Sequence, residues 1–159
     1  FSLRYFNVLG ADKYLKYGPI GVNIGSFSNN LYKSLISGKD FKIFGNNHKT
    51  PDGTPVRDFI HVDDLANIHF ESLKYLIKNK KNQICNCGYG KGYSIKQVIK
   101  ILHDKKEINF NYSFSKKRSG DISFMVADIK RLNKTLRWKP KYSNLKKMIF
   151  SELRWKKNN

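Results

Sequence analysis

Short apolar segments alternate with longer amphipathic segments along this chain, and this alternation constrains its fold more than any other feature. Apolar runs of strand length lie at residues 3–8, 41–44, 57–62 and 84–86, and residues 108–114 alternate as a strand does. Between and after them, segments at about 28–37, 65–77, 95–102, 128–136 and 145–153 repeat apolar residues at helical spacing. Strands that alternate with helices predict an α/β architecture, and 159 residues suffice for one domain at most.

Capping residues predict where the helices begin and end. We expect Gly38 to end the first helix, Asp63 or Asp64 to cap the second, and Ser94, Asp128 and Ser143 to cap the next three. Residues 9–25, which are rich in glycine, predict a long loop, and residues 46–54 and 116–121 predict turns and polar loop.

The charge of the chain is strongly positive, with 31 Lys+Arg against 12 Asp+Glu, a net charge of +19 and a pI near 10.0. Because lysines are spread along the whole chain, and because Lys, Asn, Ile, Phe and Tyr all have A/T-rich codons, composition explains the excess better than a nucleic-acid partner does. No apolar run approaches the roughly 20 residues of a membrane span, and no basic leader precedes the first strand, so we expect a cytoplasmic protein without a membrane partner. Cys85 and Cys87 predict reduced, buried thiols.

Three patterns resemble catalytic or ligand-binding motifs but are better explained as structure. In Gly88-Tyr89-Gly90-Lys91-Gly92 the third glycine comes one residue too early for a dinucleotide fingerprint, so we interpret the segment as a tight turn into the Ser94-capped helix. The Tyr-x-x-x-Lys pairs at 112/116 and 142/146 do not lie on a continuous helix and match the number expected by chance. Asp58 and His61 alternate to opposite faces of a strand, which disfavours a metal site.

The remaining polar residues look like binding groups rather than catalytic ones. Arg57 lies in a strand, Arg118 and Asp121 share one loop, and Asn7 and Asn30 lie beside loops. Two arginines far apart in sequence can meet at an anionic group such as a diphosphate, because the planar guanidinium matches phosphate oxygens. The residues alone therefore predict anion binding and no complete catalytic set.

Several segments, in order along the chain, carry a family resemblance. They are Leu3-Arg4-Tyr5-Phe6-Asn7-Val8 with Gly10-Ala11, Asn29-Asn30-Leu31, Ile43-Phe44-Gly45-Asn46, Thr50 to Thr54 followed by Val56 to Val62, Asn86-Cys87-Gly88, Arg118 to Asp121, Ala127-Asp128 and Trp138-Lys139-Pro140. Together they resemble the C-terminal half of the UDP-glucose 4-epimerases, which are extended short-chain dehydrogenases/reductases.

The resemblance implies a fold and an activity. Residues 1–159 would form a single nucleotide-sugar-binding domain, with residues 1–8 as a late strand of a Rossmann sheet whose N-terminal domain is largely missing. Such enzymes oxidise C4 of the hexose with NAD and return the hydride to the opposite face, interconverting UDP-galactose and UDP-glucose. The NAD fingerprint and the catalytic Tyr-x-x-x-Lys are expected to lie outside this chain, so the chain alone would be inactive and NAD would be bound mainly by the other half.

The resemblance also assigns roles to individual residues. Tyr5 would lie near the nicotinamide, and the sugar diphosphate would be contacted by Asn7, Asn30 and Leu31 and clamped by Arg57 and Arg118. Lys42, Ile43 and Phe44 would border the uracil, and Asp121 would accept ribose hydroxyls.

Departures from the family pattern concern the hexose. His48-Lys49 stands where Tyr-Pro is usual, the loop from Asp12 to Gly25 lacks acidic and histidine residues of the family, and Met125 occupies a position that borders the hexose. Two alternatives stay open: another nucleotide-sugar epimerase or dehydratase of the same family, and an inactive basic remnant, including a nucleic-acid-binding one. For the full-length enzyme the resemblance implies a homodimer.

Overall fold

The computed structural model describes residues 1–20, 26–104 and 111–158 and has the α/β fold that the sequence predicts. The strands are β1 Ser2–Tyr5, β2 Asn7–Leu9, β3 Phe41–Phe44, β4 Val56–His61, β5 Ile84–Cys87, β6 Gly92–Ser94, β7 Tyr112–Ser115 and β8 Phe124–Met125. The helices are α1 Phe27–Ser37, α2 Val62–Asn79, α3 Ile95–His103, α4 Lys130–Leu136 and α5 Leu145–Asn158.

The strand pairs whose register is known are parallel. β1 pairs with β5, β2 and β8 pair with β4, and β3 pairs with β7, while β6 also joins β4. Parallel strands need crossover connections, which the intervening helices supply. None of the described helices is long and apolar enough to cross a membrane.

The chain divides into two compact units. The first consists of Phe1–Pro19, Asp58–Lys91 and Val126–Asn159, and the second of Ile20–Arg57 and Gly92–Met125. A cluster of buried side chains fills the first unit: Ile60, Leu65, Ile68, Cys85, Cys87, Leu132 and Trp138. In the second unit the buried side chains include Leu31, Phe41, Ile43, Val98 and Leu102. The prediction of a single domain over residues 1–159 stays a prediction.

Several boundaries follow the sequence closely. Gly38 ends α1 in the left-handed conformation at φ +66°, which glycine adopts without a steric penalty. Ser94 caps α3 in a capping box with Gln97, as its position before the apolar repeat predicts. Both cysteines are buried, as the sequence predicts, and their reduced state stays a prediction.

The sequence-based predictions for residues 3–8 and for the start of α2 are corrected. The run Leu3 to Val8 is not one strand, because it divides at Phe6 into β1 and β2, which belong to different sheets. Helix α2 is capped by His61, whose Nδ1 accepts the Asp63 amide at 3.1 Å, and not by either aspartate. This happens because β4 runs directly into α2 without a loop.

The last two helices also begin differently from the prediction. In α5 the capping side chain is Asn144, not Ser143, since Asn144 Oδ1 accepts the Lys147 amide at 3.0 Å. Helix α4 has Ile129 at its capping position, although the Asp128 carboxylate accepts the Lys130 amide at 3.0 Å. Parts of the predicted loop 9–25 and of the predicted strand 108–114 lie outside the described residues.

Candidate functional site

A tight turn in the second unit holds two of the predicted binding residues. The amide of Asp121 donates to the carbonyl of Arg118 at 3.2 Å, closing the turn Arg118-Ser119-Gly120-Asp121. Gly120 has φ +74°, a conformation that the third position of a type II turn requires and that glycine supplies. The loop chemistry therefore fixes the two side chains at opposite ends of one turn.

Arg57 pairs with Asp121 across this turn. Its Nη2 donates to Asp121 Oδ1 at 2.8 Å, while Nη1 donates to the carbonyls of Ile122 at 2.7 Å and Val56 at 2.9 Å. Burial lowers the pKa of Arg57, and the Asp121 charge acts in the opposite direction. Most donors of Arg57 are thus engaged by the protein itself, whereas no hydrogen bond reaches Asp121 Oδ2 within the described part of the chain.

The Arg118 guanidinium lies over an aromatic ring. Its guanidinium carbon is 3.6 Å from the ring centroid of Phe44, a close cation–π contact. Nothing in the ranges 1–20, 26–104 and 111–158 hydrogen-bonds the Arg118 guanidinium, so its N–H groups remain available to a ligand. On the same strand as Phe44, Lys42 extends outward and donates to Ser113 Oγ at 2.7 Å.

His48 stabilises the end of β3 that carries Phe44, and the sequence analysis did not assign it to the site. It is buried, and its ring contacts the Phe44 carbonyl through Nε2 at 3.0 Å and Ser123 Oγ through Nδ1 at 3.2 Å. The ring also fills the space beside Gly45, where an added Cβ would come within 2.7 Å of His48 Nε2. His48 thus fixes the end of β3 that presents Phe44; the sequence indicated only that its position departs from the family pattern.

The segment Thr50 to Thr54 is tied to α3 by a carboxylate that sequence reasoning also missed. Asp52 Oδ1 accepts the amide of Thr54 at 2.9 Å and its hydroxyl at 2.6 Å, and Oδ2 accepts the hydroxyl of Ser94. Burial acts to raise the pKa of Asp52, but these hydrogen bonds outweigh it and leave the pKa below its usual value. The turn residues of this segment are therefore structural.

In the first unit, the glycine-rich segment wraps around a buried carboxylate. Asp58 accepts the amides of Tyr89 at 3.0 Å, Gly90 at 2.9 Å and Ala127 at 3.2 Å. Burial raises the pKa of Asp58 and the amide hydrogen bonds act against that shift. Because these amides point at Asp58, they are not available to a dinucleotide phosphate, and the segment does not fit an NAD diphosphate.

Tyr89 continues the network to the start of α2. Its hydroxyl donates to Asp64 Oδ2 at 2.6 Å and accepts the His61 amide at 3.1 Å, and Asp64 also accepts the amides of Lys141 and Tyr142. Burial, followed by the hydrogen bond to Asp64, raises the pKa of Tyr89. This phenol is a structural donor rather than a proton-transferring base.

The other predicted binding residues are distributed over both units. In the first, Tyr5 is exposed at the end of β1, and Asn7 begins β2 with Oδ1 buried and without a partner among the residues described. In the second, Asn30 is half-buried on α1, beside the fully buried Leu31, and Ile43 is buried in β3. The structure thus joins Phe44, Arg57, Arg118 and Asp121 through direct contacts. No group of three potential metal ligands occurs in the described part of the chain.

Comparison with known proteins gives consistent matches. The sequence pattern of the NAD dependent epimerase/dehydratase family matches residues 1–88. UDP-glucose 4-epimerase of Lactobacillus helveticus is 35% identical over 158 residues, which are 99% of this chain and 48% of that protein. The corresponding protein of Haemophilus influenzae is 37% identical over 162 residues, covering 99% of this chain and 47% of that one.

Solved structures agree. The structure of UDP-glucose-4-epimerase from Stenotrophomonas maltophila with bound NAD and formylated UDP-arabinopyranose superimposes with a TM-score of 0.90 at 28% identity, covering 98% of this chain and 47% of that one. That of UDP-glucose 4-epimerase from Bifidobacterium longum in complex with NAD+ and UDP gives 0.83 at 32% identity, covering 99% and 47%. The chain spans about half the length of the curated relatives it matches.

Proposed function

The chain belongs to the NAD dependent epimerase/dehydratase family, and on that premise we propose that it is the substrate-binding half of a UDP-glucose 4-epimerase. The observation that carries the proposal is Arg118 lying on Phe44 with open donors, at one end of a turn whose other end pairs with Arg57. A planar cation beside an aromatic ring suits a nucleoside diphosphate, because it offers N–H donors to phosphate and a flat surface to a base.

Each group of the site has a role in this proposal. Arg118 donates to the diphosphate, and the uracil borders Lys42, Ile43 and Phe44. Asp121 accepts ribose hydroxyls through Oδ2, since Oδ1 is engaged by Arg57. Arg57 contributes mainly its charge and the placement of Asp121, because the protein already uses most of its donors.

The resemblance also assigns roles to polar residues outside the group around Arg118. Asn7 has a buried Oδ1 without a partner in the described chain, which a hydroxyl or amide of the sugar nucleotide would satisfy. Asn30 and Leu31 are assigned to the sugar diphosphate, and Tyr5 is placed near the nicotinamide. Bound NAD would supply the hydride acceptor and donor for C4, and it would be held mainly by the half of the fold outside this chain.

UDP binding to the 159-residue chain tests the proposal. Arg118→Ala should weaken UDP binding by about tenfold or more, the equivalent of 1.5–3 kcal/mol for a hydrogen bond to a charged group. Arg118→Lys should recover only part of it, since lysine lacks the planar fork. Arg57→Ala should also weaken binding, but less than additively with Arg118→Ala.

The matched control is Arg154→Ala, which removes an exposed arginine of α5 and should leave UDP affinity unchanged. Isothermal titration calorimetry at several salt concentrations measures all variants. UDP affinity in Arg118→Ala equal to that of the parent chain would refute the site.

A second experiment tests whether this chain alone has epimerase activity. The purified chain should show no turnover of UDP-galactose with added NAD, because the proposed catalytic tyrosine and the NAD fingerprint belong to the other half. Measurable UDP-glucose formation by this chain would contradict the proposal. We also propose that the complete enzyme is cytoplasmic and, as the resemblance implies, a homodimer.

A further inference from the structure

A cavity of about 430 Å³ in the first unit has no role in the proposed function. It lies at the C-terminal end of α4, and its apolar lining consists of Tyr89, Ile129, Trp138 and Pro140. The Tyr89 and Trp138 rings are parallel to within 6°, with centroids 6.2 Å apart. The volume lies in the range of small-molecule sites, and aromatic walls of this kind favour a flat apolar ring.

The polar part of the lining is cationic. It consists of Asn133, Arg137 and Lys139, which are all exposed, and no carboxylate lines the cavity. Neither the Arg137 guanidinium nor the Lys139 ammonium group has a hydrogen-bond or ion-pair partner among residues 1–20, 26–104 and 111–158. Two cations that the fold leaves unpaired beside an apolar wall favour a ligand with a negative charge.

Hydrogen bonds hold the backbone around the cavity in place. The Arg137 amide donates to the Asn133 carbonyl at 2.9 Å, with Arg137 in the left-handed conformation at φ +50°. Tyr89 is fixed at both ends, since its amide donates to Asp58 and its hydroxyl donates to Asp64. A cavity whose walls are already ordered binds a ligand at a smaller entropic cost than one that forms on binding.

Trp138 carries an unmet hydrogen-bond donor. The residue is 6% exposed and packs in the core of the first unit, between Arg137 and Lys139 in the chain. Its indole Nε1 is buried and has no acceptor within the described part of the chain. Buried indole N–H groups are normally hydrogen-bonded, so an oxygen atom bound at this wall would satisfy a donor that the fold leaves open.

We propose that this cavity is a binding site for a small planar ring that carries an anionic group, as in an aromatic carboxylate or a nucleoside monophosphate. The ring packs against the two aromatic side chains, and the anionic oxygens accept hydrogen bonds from Arg137 and Lys139. Every lining residue belongs to the first unit, whereas Arg118 belongs to the second. The inference therefore goes beyond the proposed UDP site and does not rest on it.

Titration of the isotope-labelled chain, followed by nuclear magnetic resonance, tests the site. The chain has two tryptophans, so the indole N–H signals of Trp138 and Trp155 report separately once they are assigned. The probes are benzoate and adenosine monophosphate. We expect a saturable shift of the Trp138 signal with at least one of them at millimolar concentration, while the Trp155 signal stays in place.

Three further compounds each supply only part of the chemistry. Adenosine has the ring without the charge, whereas acetate and inorganic phosphate have the charge without the ring. Each should bind at least about tenfold more weakly than the probe that shifts the Trp138 signal, because one set of contacts is then missing.

Substitutions in the lining test the role of the cations. Arg137→Gln and Lys139→Gln should each weaken binding of the probe by about tenfold, because each removes a charge-assisted hydrogen bond. Lys134→Gln is the matched control, since Lys134 is an exposed lysine of α4 that does not line the cavity, and it should bind like the parent chain. In urea unfolding all three variants should match the parent, because each side chain is exposed.

Several results would overturn the proposal. They are the absence of a saturable Trp138 shift with both probes, binding that Arg137→Gln and Lys139→Gln leave unchanged, and equal affinity for adenosine, acetate or inorganic phosphate. Binding that is lost in Arg118→Ala would assign the ligand to the proposed UDP site and would also overturn it.

The two probes distinguish the source of the ligand. A response to benzoate alone supports the site and identifies an aromatic carboxylate, and a response to adenosine monophosphate alone supports it and identifies a nucleotide. Because the readout does not involve UDP, a failure of UDP binding leaves this result unchanged, so the two proposals fail separately.

Discussion

At the residue scale, His61 links the two ends of a strand–helix junction through a neutral imidazole. Nδ1 accepts the Asp63 amide at 3.1 Å, and the ring stacks on Tyr142 with centroids 4.8 Å apart. Burial lowers the pKa of His61, against the opposing charges of Asp63 and Asp64. A protonated Nδ1 could not accept the amide, so geometry and burial favour the same uncharged form.

This predicts a loss of stability as the pH falls below the pKa of histidine in the unfolded chain. Since His61 has a lower pKa when folded, the unfolded state binds the proton first, and stability declines from about pH 6.5 downward until the folded-state pKa is reached. Urea unfolding between pH 7.5 and 5 should show this slope. In His61→Asn, which keeps a capping acceptor but does not titrate, the slope should be smaller; an unchanged slope would assign it to other groups.

Two glycines test different physical constraints. A Cβ added at Gly88 would lie 2.5 Å from Asp58 Oδ2 and 2.8 Å from Ala127 Cβ. A Cβ added at Gly38 would meet nothing within 4 Å, but the substituted residue would have to keep the left-handed backbone at φ +66°. Gly38→Ala should cost about 1 kcal/mol, the conformational penalty alone.

Gly88→Ala should destabilise the chain by about 3 kcal/mol, because overpacking adds to weakened hydrogen bonds at a buried carboxylate. Chemical denaturation of the two variants measures the difference. Equal losses of stability would show that the backbone around Asp58 shifts enough to accommodate a methyl group.

At the scale of elements, the start of α5 separates what the sequence suggests from what the structure shows. Both Ser143 and Asn144 are good capping residues, but it is Asn144 whose Oδ1 accepts the Lys147 amide at 3.0 Å. We expect Asn144→Ala to cost about 1 kcal/mol and Ser143→Ala less than about 0.5 kcal/mol. Thermal unfolding by circular dichroism measures both losses. A larger loss for Ser143→Ala than for Asn144→Ala would show that Ser143 is the capping residue.

Elements that depend on local chemistry were predictable from the sequence. Gly38 and Ser94 act within a few residues of themselves, through a left-handed turn and a capping box, and both predictions are confirmed. The cap of α2 was not predicted correctly. It depends on β4 meeting α2 without a loop, which puts a histidine where an aspartate was expected. Division of residues 3–8 into two strands depends on partners more than 50 residues away.

The same distinction between local and long-range contacts applies to the candidate site. Sequence placed Arg118 and Asp121 in one loop, and the structure adds that Arg57, 64 residues from Asp121, engages that carboxylate. His48 and Asp52 were not identified, because their roles rest on contacts with Ser123 and Ser94 that no local pattern indicates. The assigned ligand roles of these residues stay predictions.

At the scale of the whole molecule, net charge is the dominant electrostatic feature. With 31 basic and 12 acidic residues, most positive charges have no acidic partner available, and a charge of +19 repels itself in the compact state. The described ion pairs, such as Arg57–Asp121 and the largely buried Lys156–Glu152, offset only a small part of this. Repulsion among exposed charges is long-ranged and is therefore sensitive to salt.

We expect the isolated chain to become more stable as sodium chloride rises from about 0.01 M to about 0.2 M, because the screening length falls from about 30 Å to below 10 Å and weakens repulsion between distant lysines. Differential scanning calorimetry should show the melting temperature rising by about 2–4 °C for each kcal/mol gained and levelling off once neighbouring lysines are screened. Sucrose at equal osmolarity controls for exclusion effects and should not reproduce the early, steep part of the curve. A melting temperature that falls with salt would mean that ion pairs outweigh repulsion in this fold, despite the excess of lysine.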